Sequence, residues 1–128
     1  MYSQENVSKI INNFIEAIKD ELSVEQVYLF GSYAKGTPGK YSDIDLAIVS
    51  KDFEGIRFFD RKRLLKYLVK TNTDVELHPF RSEDFTIDNP FVEEIIKTGK
   101  RICWVELKKT LKNDKKYDGR VRKWKTKI

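Results

Sequence analysis

Two acidic residues, Asp43 and Asp45, flank a single apolar residue in the segment Ser42-Asp43-Ile44-Asp45-Leu46. The apolar run continues through Ala47-Ile48-Val49, which predicts a strand over 43–50. Residues two apart in a strand lie on the same face of the sheet, so the two carboxylates project together. Neighbouring carboxylates repel one another unless a cation lies between them. The pair therefore predicts a Mg²⁺ site, because Mg²⁺ takes one or two carboxylates and leaves its other positions to water and phosphate oxygens.

A glycine–serine break, Gly31-Ser32, ends the apolar run Val27–Phe30, and Ser42 follows ten positions after Ser32. We predict a buried strand over 26–30 and a short helix over 33–35, with a turn between them. Backbone N–H groups of such a turn form a concave site for phosphate oxygens, to which Ser32 adds its hydroxyl. In the following segment, Lys35 or Lys40 could reach a triphosphate. The order of residues is not that of a Walker loop.

A second group of polar residues lies in Asp74-Val75-Glu76-Leu77-His78-Pro79-Phe80. If this segment is a strand, Asp74, Glu76 and His78 share one face. His78, the only histidine in the chain, is either a catalytic residue or a structural hydrogen-bonding residue at the edge of the site, and we favour the structural role. Pro79 should end the strand or lie on a sheet edge, because proline lacks a backbone N–H donor.

The two segments Gly31-Ser32-Tyr33-Ala34-Lys35-Gly36 and Ser42-Asp43-Ile44-Asp45-Leu46-Ala47-Ile48-Val49 together resemble the signature of the nucleotidyltransferase superfamily typified by DNA polymerase beta. The length of the chain is similar to that of the minimal, MNT-type members. The resemblance implies that a third carboxylate on the strand after the central helix completes the metal site. We assign that role to Glu76, with Asp74 as the reserve candidate. The family more often has Arg where Lys35 stands, and Lys lacks the two-pronged contact that Arg makes with phosphate.

The resemblance also implies a fold and a reaction. The expected fold is α/β (α+β): a small twisted mixed sheet with flanking helices, like the palm of polymerase beta. Asp43, Asp45 and Glu76 would act as catalytic residues and hold two Mg²⁺ ions, while Gly31, Ser32, Lys35 and Ser42 would bind the nucleotide. The implied reaction is transfer of a nucleoside monophosphate, AMP from ATP by family habit, to a hydroxyl acceptor.

The remaining segments predict the elements that position these residues. Apolar residues at three- and four-residue spacing predict a helix over 3–22, with Ser3 as its N-cap. A second helix is predicted over 56–70, a third over 90–98 and a strand over 101–105. The predicted apolar face of the second helix consists of Phe59, Leu64, Leu65, Leu68 and Val69.

The chain of 128 residues has a net charge of +5 that is unevenly distributed. Residues 1–99 contain 13 Lys/Arg and 17 Asp/Glu, whereas residues 100–128 contain 12 and 3. We predict a minimal nucleotidyltransferase domain over 1–105 and a basic, partly disordered extension over 106–128. The extension is either simply solvated or contacts an anionic partner such as nucleic acid, with Trp124 able to stack on a base. Leu107 and Leu111 suggest a short helix.

The composition also limits the location of the protein. No apolar stretch approaches the roughly 18 residues of a membrane span, and the N-terminus lacks a signal-peptide pattern. Cys103 is the only cysteine, so no internal disulfide forms, and we expect a cytoplasmic protein without a membrane partner. Cys103 itself is expected to be a small core residue.

Three functional classes remain open on the sequence. Small MNT proteins are often paired with a HEPN-domain protein, a toxin-like ribonuclease, and some silence it by adding AMP to a tyrosine. That resemblance implies an antitoxin role with a HEPN partner. The alternatives are a non-catalytic module that binds a protein or RNA, and a transferase acting on a small molecule such as an aminoglycoside, with a homo-oligomer completing the site.

Overall fold

A five-stranded mixed sheet organises the chain, in a computed structural model that describes residues 2–72, 74–105 and 123–127. The strands are β1 (Gln26–Phe30), β2 (Ile44–Val49), β3 (Val75–Phe80), β4 (Lys100–Val105) and β5 (Lys123–Lys127). Their order across the sheet is β3-β2-β1-β4-β5. β2 and β3 are parallel, and the other neighbouring pairs are antiparallel.

In the described residues, four helices and one 3₁₀ turn precede or connect the strands. They are α1 (Gln4–Ile18), α2 (Ser32–Lys35), α3 (Arg57–Thr71), the 3₁₀ turn (Ser82–Asp84) and α4 (Pro90–Thr98). The Ser3 hydroxyl caps α1 by accepting from the N–H of Asn6, and the Asn89 side chain caps α4 in the same way from Phe91. These contacts satisfy backbone donors that a helix start leaves unpaired.

The core is divided between the two faces of the sheet. On the first face, α1 and α3 pack against Ile44, Leu46, Ile48, Val75 and Leu77. On the second face, a smaller cluster contains Ala47 and Val49 of β2 and the buried side of α4. Because side chains alternate along a strand, Asp45, Glu76 and His78 lie on the second face.

The predicted α+β fold, a mixed sheet with flanking helices, is confirmed, and the predicted elements differ from the observed ones mainly at their ends. Pro79 lies in an edge strand, as expected from its missing donor. The predicted apolar face of α3 is wrong in part. Leu64 and Leu68 are buried, but Phe59, Leu65 and Val69 are 49%, 54% and 66% exposed. α3 packs against α1 and the edge strand β3, and these contacts bury only the stripe that contains Leu64 and Leu68.

Strand β5 was not expected from the sequence, since its residues alternate lysine with few apolar side chains. It pairs with β4 along Arg101–Val105. The predicted short helix at Leu107–Leu111 lies outside the described residues, as do the side chains of Cys103 and Trp124. The division into domains at residue 105 therefore stays a prediction.

Candidate active site

The side chains of Asp45, Glu76 and His78 converge on the second face of the sheet. Asp45 and Glu76 are register partners in the parallel pair β2–β3, and His78 is two residues further along β3. One potential metal-binding atom from each of the three residues lies within 4.8 Å of the other two. Asp45 and Glu76 are each partly exposed, so solvent and a ligand can reach the carboxylates.

Gly31 brings the backbone of the first turn against the Asp45 carboxylate. Its φ of 77° and ψ of −156° belong to a region that only glycine adopts readily. A Cβ at this position would lie 2.3 Å from Asp45 Oδ2. The turn therefore requires glycine for two reasons, its backbone conformation and its close approach to the carboxylate.

His78 is only 8% exposed and contacts two charged residues. Its Nε2 lies 3.3 Å from Asp45 Oδ1, and its Nδ1 lies 3.1 Å from Arg57 Nη2. The rings of Phe30 and Phe91 meet the imidazole edge-on, with centroid distances of 4.8 Å and 5.7 Å. The imidazole ring is thus held in place by contacts on several sides.

Asp43 and Asp74 lie towards the start of the two strands, away from this group of ligand atoms. Both are exposed. They line a recess of about 250 Å³. The other lining residues are Tyr2, Tyr33, Lys40, Tyr41 and Ser42. Asp43 is a residue of the predicted metal site that the structure does not bring into the Asp45–Glu76–His78 group, and its role stays a prediction.

Asp74, the reserve candidate for the third carboxylate, is already engaged in a hydrogen-bond network. Its Oδ2 accepts from the Tyr2 hydroxyl, and this contact raises the pKa of Tyr2. Asn72 Nδ2 donates to the same Tyr2 oxygen at 3.2 Å. The network ties the N-terminal segment to the start of β3. Glu76, and not Asp74, is the register partner of Asp45 and belongs to the group of ligand atoms around it.

The predicted nucleotide-binding residues lie in α2 and in the segments before and after it. Gly31 and Ser32 begin α2, with the carbonyl of Ser32 accepting from the N–H of Thr37 at 3.0 Å. Lys35 is exposed in its last turn. Ser42 Oγ accepts from the N–H of Gly39 at 2.8 Å and so holds the loop before β2. Their contact with a nucleotide stays a prediction.

Arg57 is a residue of this site that the sequence analysis missed. It is the first residue of α3, and in the sequence it is one of several basic residues on that helix. Its contact with His78 depends on how α3 packs against β3. No local pattern in the sequence distinguishes it from Arg61 or Lys62.

Comparisons with known proteins agree with this geometry. The family model described as "Nucleotidyltransferase domain" matches residues 11–118. The Methanocaldococcus jannaschii protein MJ0604, named as a protein adenylyltransferase, is 40% identical over 74 residues, which are 56% of this chain and 74% of the relative. The protein adenylyltransferase MntA of Shewanella oneidensis is 28% identical over 93 residues, 71% of this chain and 63% of MntA.

A solved structure supports the fold independently. A toxin–antitoxin crystal structure with AMP-PNP aligns with a TM-score of 0.53 and 28% identity, covering 77% of this chain and 72% of that one. The chain belongs to the nucleotidyltransferase domain family, as its sequence signature suggested. It is a nucleotidyltransferase of the MNT type. In the described part of the chain, no helix combines the length and apolar character that crossing a membrane requires.

Proposed function

We propose that this nucleotidyltransferase transfers AMP from ATP to a hydroxyl group of a protein. The observation that carries the proposal is the pairing of Asp45 with Glu76 across β2 and β3, directly beside the glycine turn. The names of the relatives, which are protein adenylyltransferases, supply the nucleotide and the acceptor class.

The residues present fit a magnesium site. Two oxygens bound to one Mg²⁺ lie up to about 4 Å apart, since each is about 2.1 Å from the ion. One carboxylate oxygen of Asp45 and one of Glu76 lie within 4.8 Å of each other, which is close to that spacing. Asp43 directly precedes β2 and would add a further carboxylate there. The family resemblance implies a second ion, which Asp43 would help to hold. Bound Mg²⁺ would neutralise the triphosphate and stabilise pyrophosphate as it leaves.

In the proposed reaction, the acceptor hydroxyl oxygen bonds to the α-phosphorus of ATP. The bond from that phosphorus to the bridging oxygen of the β-phosphate breaks, and pyrophosphate leaves with its electron pair. A Glu76 carboxylate oxygen takes the hydroxyl proton, because Glu76 is partly exposed and faces the same side as Asp45. Asp45 and Asp43 would hold the ions, which would supply positive charge to orient the phosphates.

Four residues would bind the nucleotide. Backbone N–H groups at Gly31 and Ser32 face the β- and γ-phosphates in this proposal, with the Ser32 hydroxyl as a further donor. Lys35 supplies a positive charge without two-pronged geometry. Ser42 keeps the loop before β2 in position through its contact with Gly39.

For the acceptor, we propose a tyrosine of a HEPN-domain partner, with this chain as the antitoxin of a cytoplasmic pair. MntA and a toxin–antitoxin structure among the similar proteins support a protein acceptor within such a pair; the HEPN domain and the tyrosine are what the family resemblance implies. The basic segment after residue 105 would give a secondary contact with nucleic acid. A homo-oligomer is the alternative way of completing the acceptor side of the site.

The test is to incubate the protein with α-labelled ATP, Mg²⁺ and extract from its own source, beside an Asp45→Asn control. We expect label on a protein band with the native chain and none with the variant. Phosphodiesterase release of labelled AMP, and the residue identified by mass spectrometry, would then name the acceptor. Label on a small molecule or RNA would replace the protein acceptor. No label together with no Mg²⁺-dependent ATP binding would contradict the transferase proposal.

A further inference from the structure

The hydrogen bond between Arg57 and His78 determines which ring nitrogen carries the proton. A guanidinium group has only donors and never accepts a hydrogen bond. His78 Nδ1, which lies 3.1 Å from Arg57 Nη2, must therefore be the acceptor. In a neutral imidazole the single proton is then on Nε2, and it points at Asp45 Oδ1, 3.3 Å away.

This assignment decides between two roles for His78. A nitrogen that carries a proton has no free lone pair for a metal ion, so Nε2 cannot be a ligand in this tautomer. It can instead donate to Asp45 and hold that carboxylate in one orientation. Phe30 and Phe91 restrict rotation of the ring, since both pack against it in T-shaped contacts.

We propose that His78 is a positioning residue that orients Asp45, and that Arg57 imposes its tautomer. The consequence is a cation site made of carboxylate oxygens, with the imidazole excluded although its Nε2 is near enough to bind. Oxygen-only sites suit Mg²⁺ and Mn²⁺, whereas an imidazole ligand favours Zn²⁺, Ni²⁺ and Co²⁺. The metal part of this inference rests on the proposed function; the tautomer does not.

Because His78 is the only histidine, ¹⁵N NMR of histidine-labelled protein reports its two ring nitrogens without overlap. The spectrum is recorded without nucleotide or metal, in buffer alkaline enough to keep the ring neutral. We expect a protonated Nε2 and an unprotonated Nδ1. In Arg57→Ala the preference should weaken or reverse, while Arg57→Lys, which keeps a donor, should retain it. The opposite tautomer in the native chain would overturn the proposal, whatever the activity.

Metal titrations test the consequence separately. Removing the guanidinium should free the ring to bind, so Ni²⁺ affinity of Arg57→Ala should rise by about tenfold over native while Mn²⁺ affinity does not rise. His78→Leu should weaken Mn²⁺ binding by about 10- to 100-fold, and His78→Gln, which keeps a side-chain donor, should restore part of it. Equal Ni²⁺ binding by native and Arg57→Ala, with a native ring resonance shifted by the metal, would show that His78 is a ligand.

A second, independent observation concerns the outer side of α3. Phe58, Leu65 and Val69 are 67%, 54% and 66% exposed, and their spacing of seven and four residues places them on one stripe of the helix. Beside the stripe, α3 and β3 form a groove of about 730 Å³. We call this the α3 groove; it is lined by Arg57, Phe58, Arg61, Lys62, Leu65, Leu68 and Leu77.

The charge around the α3 groove indicates what it fits. Its polar lining residues are all basic: Arg57, Arg61 and Lys62. Residues 106–122 of this chain carry seven Lys/Arg and three Asp/Glu, so like charge opposes their binding in the groove. We infer that the α3 groove docks an amphipathic helix of a partner protein whose apolar residues are flanked by Asp or Glu. This inference does not depend on the transfer reaction.

Two synthetic helical peptides test it, with leucines at matching spacing flanked by glutamates in one and by lysines in the other. By fluorescence anisotropy we expect the acidic peptide to bind and the lysine peptide to bind at least about tenfold more weakly. Leu65→Glu should abolish binding, whereas Ile87→Glu, at another exposed apolar site outside the groove, should not. Equal binding of both peptides, no binding of either, or binding unaffected by Leu65→Glu would overturn the inference. A dimer of the chain alone that Leu65→Glu dissociates would assign the groove to a second copy instead.

Discussion

The two faces of strands β2 and β3 differ sharply although the same twelve residues form both. On the face towards α1 and α3, the side chains are apolar, and five of them are buried: Ile44, Leu46, Ile48, Val75 and Leu77. On the opposite face, Asp45, Glu76 and His78 lie at one end of the strands. Because side chains alternate, packing of the apolar side chains on the first face fixes the register of the two strands. The same register pairs Asp45 with Glu76 on the second face. Stability and chemistry thus depend on neighbouring residues with opposite orientations.

The largest expected effect comes from removing a charge on the polar face. Asp45→Asn keeps the size and the hydrogen-bond acceptor for His78 but loses the negative charge that holds a cation. We expect the rate of AMP transfer to fall by about 10³-fold, with the thermal midpoint unchanged or raised because repulsion from Glu76 is relieved. Steady-state kinetics and thermal unfolding on the same samples check both parts. A variant that unfolds would break the proposed separation of the faces.

A substitution on the buried face, one residue from Asp45, should have the opposite effect: it should lower stability and leave the polar face functional. Leu46 is 0% exposed, and Leu46→Ala should lower the free energy of unfolding by about 2–5 kcal/mol through lost burial and a cavity. At a temperature where the variant is folded, metal and ATP binding should remain near native. Urea unfolding followed by circular dichroism measures the loss. Full stability with lost ATP binding would contradict the comparison.

Gly31→Ala perturbs the polar face through the backbone of the turn. The new Cβ would lie 2.3 Å from Asp45 Oδ2 at a φ of 77°, so we expect a loss of about 1–3 kcal/mol in stability and a fall in transfer rate of up to about 100-fold. Gly36→Ala is the matched control, because Gly36 has a φ of 76° but no atom within 4 Å of the added Cβ. If both variants lose equal activity, the contact with Asp45 is not the cause.

The smallest effect concerns Tyr2, at the rim of the polar face. Its hydrogen bond to Asp74 raises the pKa of the Tyr2 hydroxyl. A raised pKa in the folded state gives stability that is fully present below the pKa of an unfolded tyrosine, about 10, and is lost as pH rises through the folded value. Tyr2→Phe should therefore lower stability slightly at neutral pH and reduce its fall at alkaline pH. Urea unfolding at a series of alkaline pH values measures the stability, with Tyr41→Phe, at an exposed tyrosine, as the control. Identical dependence of stability on pH for native protein and Tyr2→Phe would show that the Tyr2–Asp74 contact does not contribute.

The sequence predicted most of the fold because alternation and helical periodicity are local signals. Strands 26–30 and 43–50 and the cap at Ser3 follow from residue types within a few positions. The sequence alone could not predict that Leu65 and Val69 would be exposed, since their exposure depends on how much of α3 the sheet edge covers. Strand β5 was missed for the same reason, because its pairing with β4 is a long-range contact in a lysine-rich segment.

At the candidate site, the adjacency of Asp45 and Glu76 follows from alternation together with the family's strand order. The assignment of the third carboxylate to Glu76, with Asp74 in reserve, came from the family resemblance, whereas the register that pairs Glu76 with Asp45 is seen only in the paired strands. Arg57 had no local signal at all, because its significance arises from the packing of α3 against His78. Contacts within one strand, or between strands whose order the family resemblance implies, were accessible from the sequence, whereas the contact between α3 and β3 was not.

The central claim, that Asp45 and Glu76 form the cation site and Asp74 does not, is tested most directly with Mn²⁺, which takes the same oxygen ligands as Mg²⁺ and is visible by electron paramagnetic resonance. Mn²⁺ binding is measured in the presence of a non-hydrolysable ATP analogue for native protein, Glu76→Gln and Asp74→Asn. We predict that Glu76→Gln weakens binding by at least about tenfold and that Asp74→Asn leaves it near native. Loss of Mn²⁺ in Asp74→Asn with retention in Glu76→Gln would contradict the account.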